Sequence, residues 1–158
     1  GDVLWIDEKT VAVGEGYRTN SQGIRQFREL LGNGVDEVIP VPLPHWTGPN
    51  DCLHLLSNVS PVDIDLYAVY SPLLTVPFRN YLLKRGIQLI EVPEEEYSTL
   101  GCNILALAPR KVIMVDGNPK VRDSLENQGV EVTVFDGSEI CLKGAGGPTC
   151  LTRPLYRV

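Results

Sequence analysis

With 158 residues and a formal net charge of −6, the chain has a pI near 4.9, and its Lys and Arg residues are scattered along it. That balance argues against a nucleic-acid partner, which needs clustered basic side chains to neutralise phosphates. No apolar run approaches the roughly 20 residues that span a bilayer, and no basic-then-apolar leader opens the chain, so no membrane partner is expected. The length suffices for one domain with its own core, burying roughly two-thirds of its unfolded surface. Four cysteines, Cys52, Cys102, Cys141 and Cys150, are spread too widely for a small disulfide framework. They read as reduced thiols in a soluble, cytoplasmic protein.

In chain order the elements repeat. The first unit, about 1–43, has strand-like runs Val3 to Ile6 and Thr10 to Val13 around an Asp7-Glu8-Lys9 turn. A helix capped by Asn20 or Ser21 follows, with Ile24, Phe27, Leu30 and Leu31 on one face, ended by Gly32 and Gly34. Strand Val35 to Val41 closes the unit. The second, about 51–93, predicts strands Cys52 to Leu56 and Leu66 to Tyr70, a helix carrying Phe78, Tyr81 and Leu82 up to Gly86, and strand Ile87 to Val92. The third, about 101–136, predicts strands Asn103 to Leu107 and Lys111 to Val115. Asn118 caps its helix, Pro119 takes the first helical position, Val121 and Leu125 face inward, and Gly129 ends it. Strand Val130 to Phe135 completes the unit, and a closing strand is expected over 149–156.

The joints Gly34-Val35, Gly86-Ile87 and Gly129-Val130 match in type and recur at a period typical of repeat architectures. Either each unit is ββαβ, stacked around an axis or along a line, or the joints are those of an ordinary α/β sheet that look alike by chance.

One stretch stands outside this pattern: Gly144 to Pro154, GAGGPTCLTRP. Glycines tolerate close backbone approach and positive φ, so Cys150 reads either as a presented thiol or as a small packed residue opening the closing strand. His54 reads either as an acid–base group or as a strand histidine bonded to a carbonyl. Cys52 and His54 alternate on their predicted strand and share a face, but two ligands do not make a structural zinc site, and no metal or other cofactor is expected.

Four separated motifs carry a family resemblance. They are Gly1-Asp2-Val3-Leu4 with Arg18-Thr19-Asn20 downstream, Leu53-His54-Leu55, Gly101-Cys102-Asn103, and Gly146-Gly147-Pro148-Thr149-Cys150. In this order the chain resembles the later part of the guanidine-modifying (pentein) superfamily, which includes dimethylarginine dimethylaminohydrolase, arginine deiminase and the amidinotransferases. The resemblance implies an α/β propeller of five ββαβ blades around a central pocket, of which this chain supplies about three as the C-terminal portion of one domain.

It also implies roles. Cys150 is the nucleophile, His54 the general acid and base, and Arg18 the partner of the substrate α-carboxylate; Asn103, near the start of a strand after Gly101 and Cys102, either faces the pocket as a substrate-binding residue or satisfies a turn. The implied reaction is hydrolysis of a C–N bond in arginine or a methylated arginine through a cysteine thiouronium, giving citrulline and an amine or ammonia. The alternative is a catalytically silent propeller that binds a partner or an amino acid.

Two departures bear on substrate and completeness. Arginine deiminases usually carry an Asp two residues after the histidine, where this chain has Leu56; its His54-Leu55-Leu56-Ser57 run and its Arg18-Thr19-Asn20 motif are similar to those of dimethylargininases. The glycine-rich ending is closer to deiminases. The family also places a guanidinium-gripping carboxylate just upstream of the position of Gly1. The expectation is therefore that an upstream half of the same enzyme, or self-association, completes the site, and that Asp2 braces a turn instead of binding substrate.

Overall fold

The computed structural model describes residues 1–50 and 53–153. It contains three small sheets, each three-stranded, and each is one turn of the sequence repeat. In the first module β1 (Val3–Trp5) pairs antiparallel with β2 (Thr10–Glu15), and α1 (Ser21–Leu31) carries the chain over to β3 (Glu37–Pro42), parallel to β2. The second module begins with a helical turn, α2 (Leu55–Asn58). It continues through β4 (Val59–Asp63), β5 (Leu66–Val69), α3 (Val76–Lys84) and β6 (Gln88–Glu91) in the same antiparallel-then-parallel pattern. After a short α4 (Glu94–Tyr97), the third repeats it with β7 (Leu105–Ala108), β8 (Lys111–Val115), α5 (Pro119–Glu126) and β9 (Glu131–Phe135). A last helical turn, α6 (Pro148–Leu151), follows. The fold is α/β, built of propeller modules.

The middle strand of each sheet is the most deeply buried. Leu66, Tyr67, Ala68 and Val69 are all covered, as expected of a strand with packed layers on both faces, where apolar residues run on instead of alternating. One core cluster joins the first two modules through Leu4, Ala12, Leu55, Tyr67, Phe78 and Leu82. Another joins the second and third through Val62, Ala68, Ile104, Val112, Met114 and Leu125. The modules are thus wedged side by side, adjacent ones sharing a core. Polar ties reinforce the seam: Arg110, from the β7–β8 turn, reaches Asp63 at 3.1 Å and Asp65 at 2.8 Å in the second module.

Helix punctuation follows the residues. Asn20 accepts the Gly23 N–H at 2.8 Å, while Gly86 and Gly129 take φ of 78° and 76°, the left-handed conformation that ends a helix and disfavours residues with a Cβ. Leu30 departs from expectation, being 86 % exposed. Ile24, Phe27 and Leu31 form the inward i, i+3, i+7 stripe, and Leu30 lies about a third of a turn off it. Asn118 starts α5 without capping it through its side chain. Its amide instead ties Val115 to Thr99. The first-turn N–H groups of Lys120 and Val121 go to the buried Glu96 carboxylate, at 2.8 and 2.9 Å.

Two strands are displaced from the sequence reading. The run Cys52 to Leu56 is not the first strand of its unit; that strand is β4. Asp2 and the Gly1 carbonyl take the N–H groups of Leu55 and Leu56, which commits this segment to a helical turn. Pro61 is accommodated because β4 is a sheet edge. Cys52 itself lies outside the described residues. The expected closing strand is also corrected at its start: Gly147 and Pro148 open the helical turn α6, and 154–158 lie outside the described residues. Among the described residues no helix is long and apolar enough to cross a membrane.

Candidate active site

Antiparallel pairing of the first two strands in each module puts the entry to the first and the exit from the second at one end. Asp2 immediately precedes β1, Arg18 follows β2, His54 and α2 precede β4, and Asn103 precedes β7. The repeat therefore delivers these residues to a common rim, where α6 brings Cys150. A cavity of about 690 Å³ opens there, and Arg18, His54, Asn103 and Cys150 all line it.

Asp2 organises one side. Its carboxylate accepts the Thr19 hydroxyl at 2.6 Å and the Leu55 N–H at 3.0 Å, clamping the Arg18-Thr19-Asn20 loop against the start of α2. Gly14 is required beside it, since a Cβ there would lie 2.8 Å from Asp2 Oδ1. This clamp sets Arg18 next to His54, with Nη1 to Nε2 at 3.5 Å. Arg18 forms no ion pair with any described residue, so its exposed guanidinium is open to a carboxylate from outside.

Burial holds the His54 imidazole below its usual 6.5; the Asp2 carboxylate opposes the shift and the Arg18 cation adds to it. The folded protein therefore keeps His54 neutral to lower pH than the unfolded chain does. The stability it contributes above about 6.5 is lost as pH falls through that value toward the depressed one. His54 is expected to titrate below 6.5 in an NMR pH series, and Arg18→Gln should move its midpoint upward. An unmoved or lowered midpoint in that variant would show that the two side chains are not electrostatically coupled.

On the opposite side is the cysteine loop. Cys150 is exposed whereas Cys102 and Cys141 are buried, and burial pushes both of their thiols up. Two glycines are sterically required. A Cβ on Gly146 would sit 3.0 Å from Cys150 Cβ, and one on Gly147 would sit 2.5 Å from Asn103 Cγ. Asn103 accepts the Thr149 N–H at 3.0 Å and the Thr149 hydroxyl at 2.8 Å, and donates from Nδ2 to Cys150 Sγ at 3.3 Å.

The sequence reading missed the aromatic wall. Trp46 meets Tyr97 edge-on at 5.6 Å, and Tyr97 stacks on Tyr70 at 3.9 Å. Backbone strain also gathers here: Trp46, Leu100 and Ala145 have positive φ and line the cavity, and such residues concentrate at functional sites. Nothing in residue spacing marks them, because they come from loops between units. His54 precedes a helical turn and is not on a strand, so the alternation argued for Cys52 and His54 does not hold, and Cys52 lies outside the described residues. No cluster of three or more potential metal ligands exists among the described residues.

Three ββαβ modules that bring a thiol, an imidazole and a guanidinium to one rim define the class by fold: part of a pentein-type α/β propeller. The family model for arginine deiminase matches residues 71–157, more than half of the chain, and the chain belongs to that family. YkgA of Bacillus subtilis (strain 168), an uncharacterized protein, is 34% identical over 157 residues, covering 99% of this chain and 51% of its own length. The arginine deiminase of Latilactobacillus sakei is 24% identical over 195 residues, 99% of this chain and 46% of that protein. The chain thus spans about half the length of the curated relatives it matches.

Among solved structures, the amidinotransferase SxtG from Microseira wollei superposes with a TM-score of 0.81 at 18% identity, over 99% of this chain and 46% of that one. A Cys-to-Ser variant of DDAH from Pseudomonas aeruginosa, complexed with citrulline, gives 0.75 at 25% identity, over 94% of this chain and 52% of that one.

Proposed function

We propose that this chain carries the nucleophile, the acid–base group and the carboxylate clamp of a cytoplasmic amidine C–N hydrolase acting on arginine or a methylated arginine. The observation that supports the reading is the convergence of Cys150, His54 and Arg18 from distant parts of the chain on one cavity. The substrate's guanidinium countercharge would come from the part of the relatives' length that this chain does not span.

The chemistry assigns each group a task. A guanidinium is a poor electrophile, so it calls for a thiolate, the strongest nucleophile among ordinary side chains. Neutral His54 takes the Cys150 proton as Sγ bonds to the central carbon, giving a tetrahedral adduct. The resulting imidazolium then protonates the departing amine, the C–N bond breaks, and a thiouronium cation remains on sulfur. His54 next takes a proton from water as its oxygen adds to the same carbon. The C–S bond breaks with its electrons on sulfur, the ureido group of citrulline forms, and the protons return to sulfur and solvent. Arg18, a planar fork that matches a carboxylate in two parallel bonds, would hold the amino-acid end.

Full-length protein assayed against arginine, mono- and dimethylarginine and shorter guanidino acids should release citrulline from an arginine-type member of the panel, with the amine or ammonia in equal amount. Release of ornithine with the amidino group passed to an added amine acceptor, or no turnover of any member, would overturn the hydrolase assignment; the latter would leave the propeller as a binding module.

A further inference from the structure

We infer that Asn103 is a positioning residue for the nucleophile, holding the Cys150 sulfur with an amide N–H, and is not a contact for substrate. The inference rests on the reading of Cys150 as the nucleophile. Asn103 is 5 % exposed, and both ends of its amide are taken by the cysteine loop. The orientation of that amide is fixed by chemistry. The Thr149 backbone N–H can only donate, so the atom facing it at 3.0 Å is the oxygen, and the Thr149 hydroxyl at 2.8 Å shares that oxygen. The NH₂ group is thereby turned onto Cys150 Sγ at 3.3 Å.

An amide has one oxygen and two N–H bonds. Here the oxygen takes two donors and one N–H points at sulfur, leaving little for a ligand. Gly147 presses the same point from the other side, since any Cβ there would strike the Asn103 side chain. The loop and the amide are therefore built to fit each other, across 46 and 47 residues of sequence. An N–H aimed at sulfur fixes where the sulfur sits and is a donor to the thiolate that attacks carbon.

The two functions of the amide separate in one substitution. Asn103→Asp keeps an oxygen for Thr149 but replaces the donor at sulfur with a second carboxylate oxygen. Alkylation of Cys150 by iodoacetamide, followed by peptide mass spectrometry on full-length protein without substrate, should slow about tenfold or more at neutral pH, since hydrogen bonds to charged groups are among the stronger ones. In turnover, kcat should fall with KM little changed.

An unaltered alkylation rate, with KM raised, would assign Asn103 to substrate contact and overturn the inference. As a check that needs no variant to fold, the Asn103 side-chain amide signals in a ¹⁵N spectrum should shift when Cys150 of the wild-type protein is alkylated. Signals that stay in place would overturn it equally. Both readouts work without a guanidine substrate, so they stand or fall separately from the hydrolase assignment.

Discussion

Cys150→Ser should abolish citrulline release while leaving the fold intact, a loss of about 10⁴-fold or more by comparison with removal of covalent nucleophiles elsewhere. A serine hydroxyl at this position has no thiolate-like form near neutral pH and is a weak nucleophile unless a base activates it strongly. The structure gives a reason to expect the fold to survive. Cys150 is exposed, and its own N–H is bonded to the Gly147 carbonyl at 3.0 Å whichever atom ends the side chain. Urea denaturation should give the same midpoint for variant and parent. The decisive control is the other thiols. Cys102 and Cys141 are buried, so a haloacetamide should label Cys150 before either of them in the parent. Turnover that persists in Cys150→Ser, with label accumulating on another cysteine, would reassign the nucleophile.

The repeat was legible because its punctuation is local. Gly86 and Gly129 end helices wherever they are placed, β8 occupies the predicted Lys111–Val115, and Val121 and Leu125 face inward from periodicity alone. The errors fall where distant partners override local preference. Cys52 to Leu56 has the composition of a strand, yet Asp2, which precedes β1, takes the Leu55 N–H and turns the segment into helix. The Glu96 cap on α5 comes from the helical turn α4, more than twenty residues earlier, and cannot be read from the Asn118-Pro119 signal.

The site divides in the same way. The residue types at Arg18, His54, Asn103 and Cys150 were readable through their resemblance to a known motif order, and all four line one cavity. Their arrangement was not readable. That Asn103 Nδ2 faces sulfur depends on which end of its amide Thr149 takes, and the aromatic wall of Trp46 and Tyr97 depends on how loops from different modules meet. Asp2 was expected to brace a turn; it links the Thr19 loop to α2 and thereby sets Arg18 beside His54.

His54→Ala should lower kcat by about 10² to 10⁴-fold, the range typical of a positioned acid–base group, with a much smaller effect on KM. The adduct on Cys150 cannot collapse forward unless the departing nitrogen receives a proton, and among the described residues at this rim His54 is the imidazole that can first accept the thiol proton and then return it. Its neutral state in the unliganded protein suits the first of those steps. Burial and the Arg18 cation work against a standing charge, with the Asp2 carboxylate opposing them, so under the proposed mechanism the proton it delivers would be the one taken from sulfur. In the variant the first chemical step should suffer along with the second, and alkylation of Cys150 at neutral pH should slow in parallel. Added imidazole should restore part of the lost rate to His54→Ala if the space left by the ring is open to the cavity. A variant that keeps kcat within a few-fold of the parent while KM climbs would instead make His54 a substrate-binding residue, and proton delivery would have to come from outside this chain.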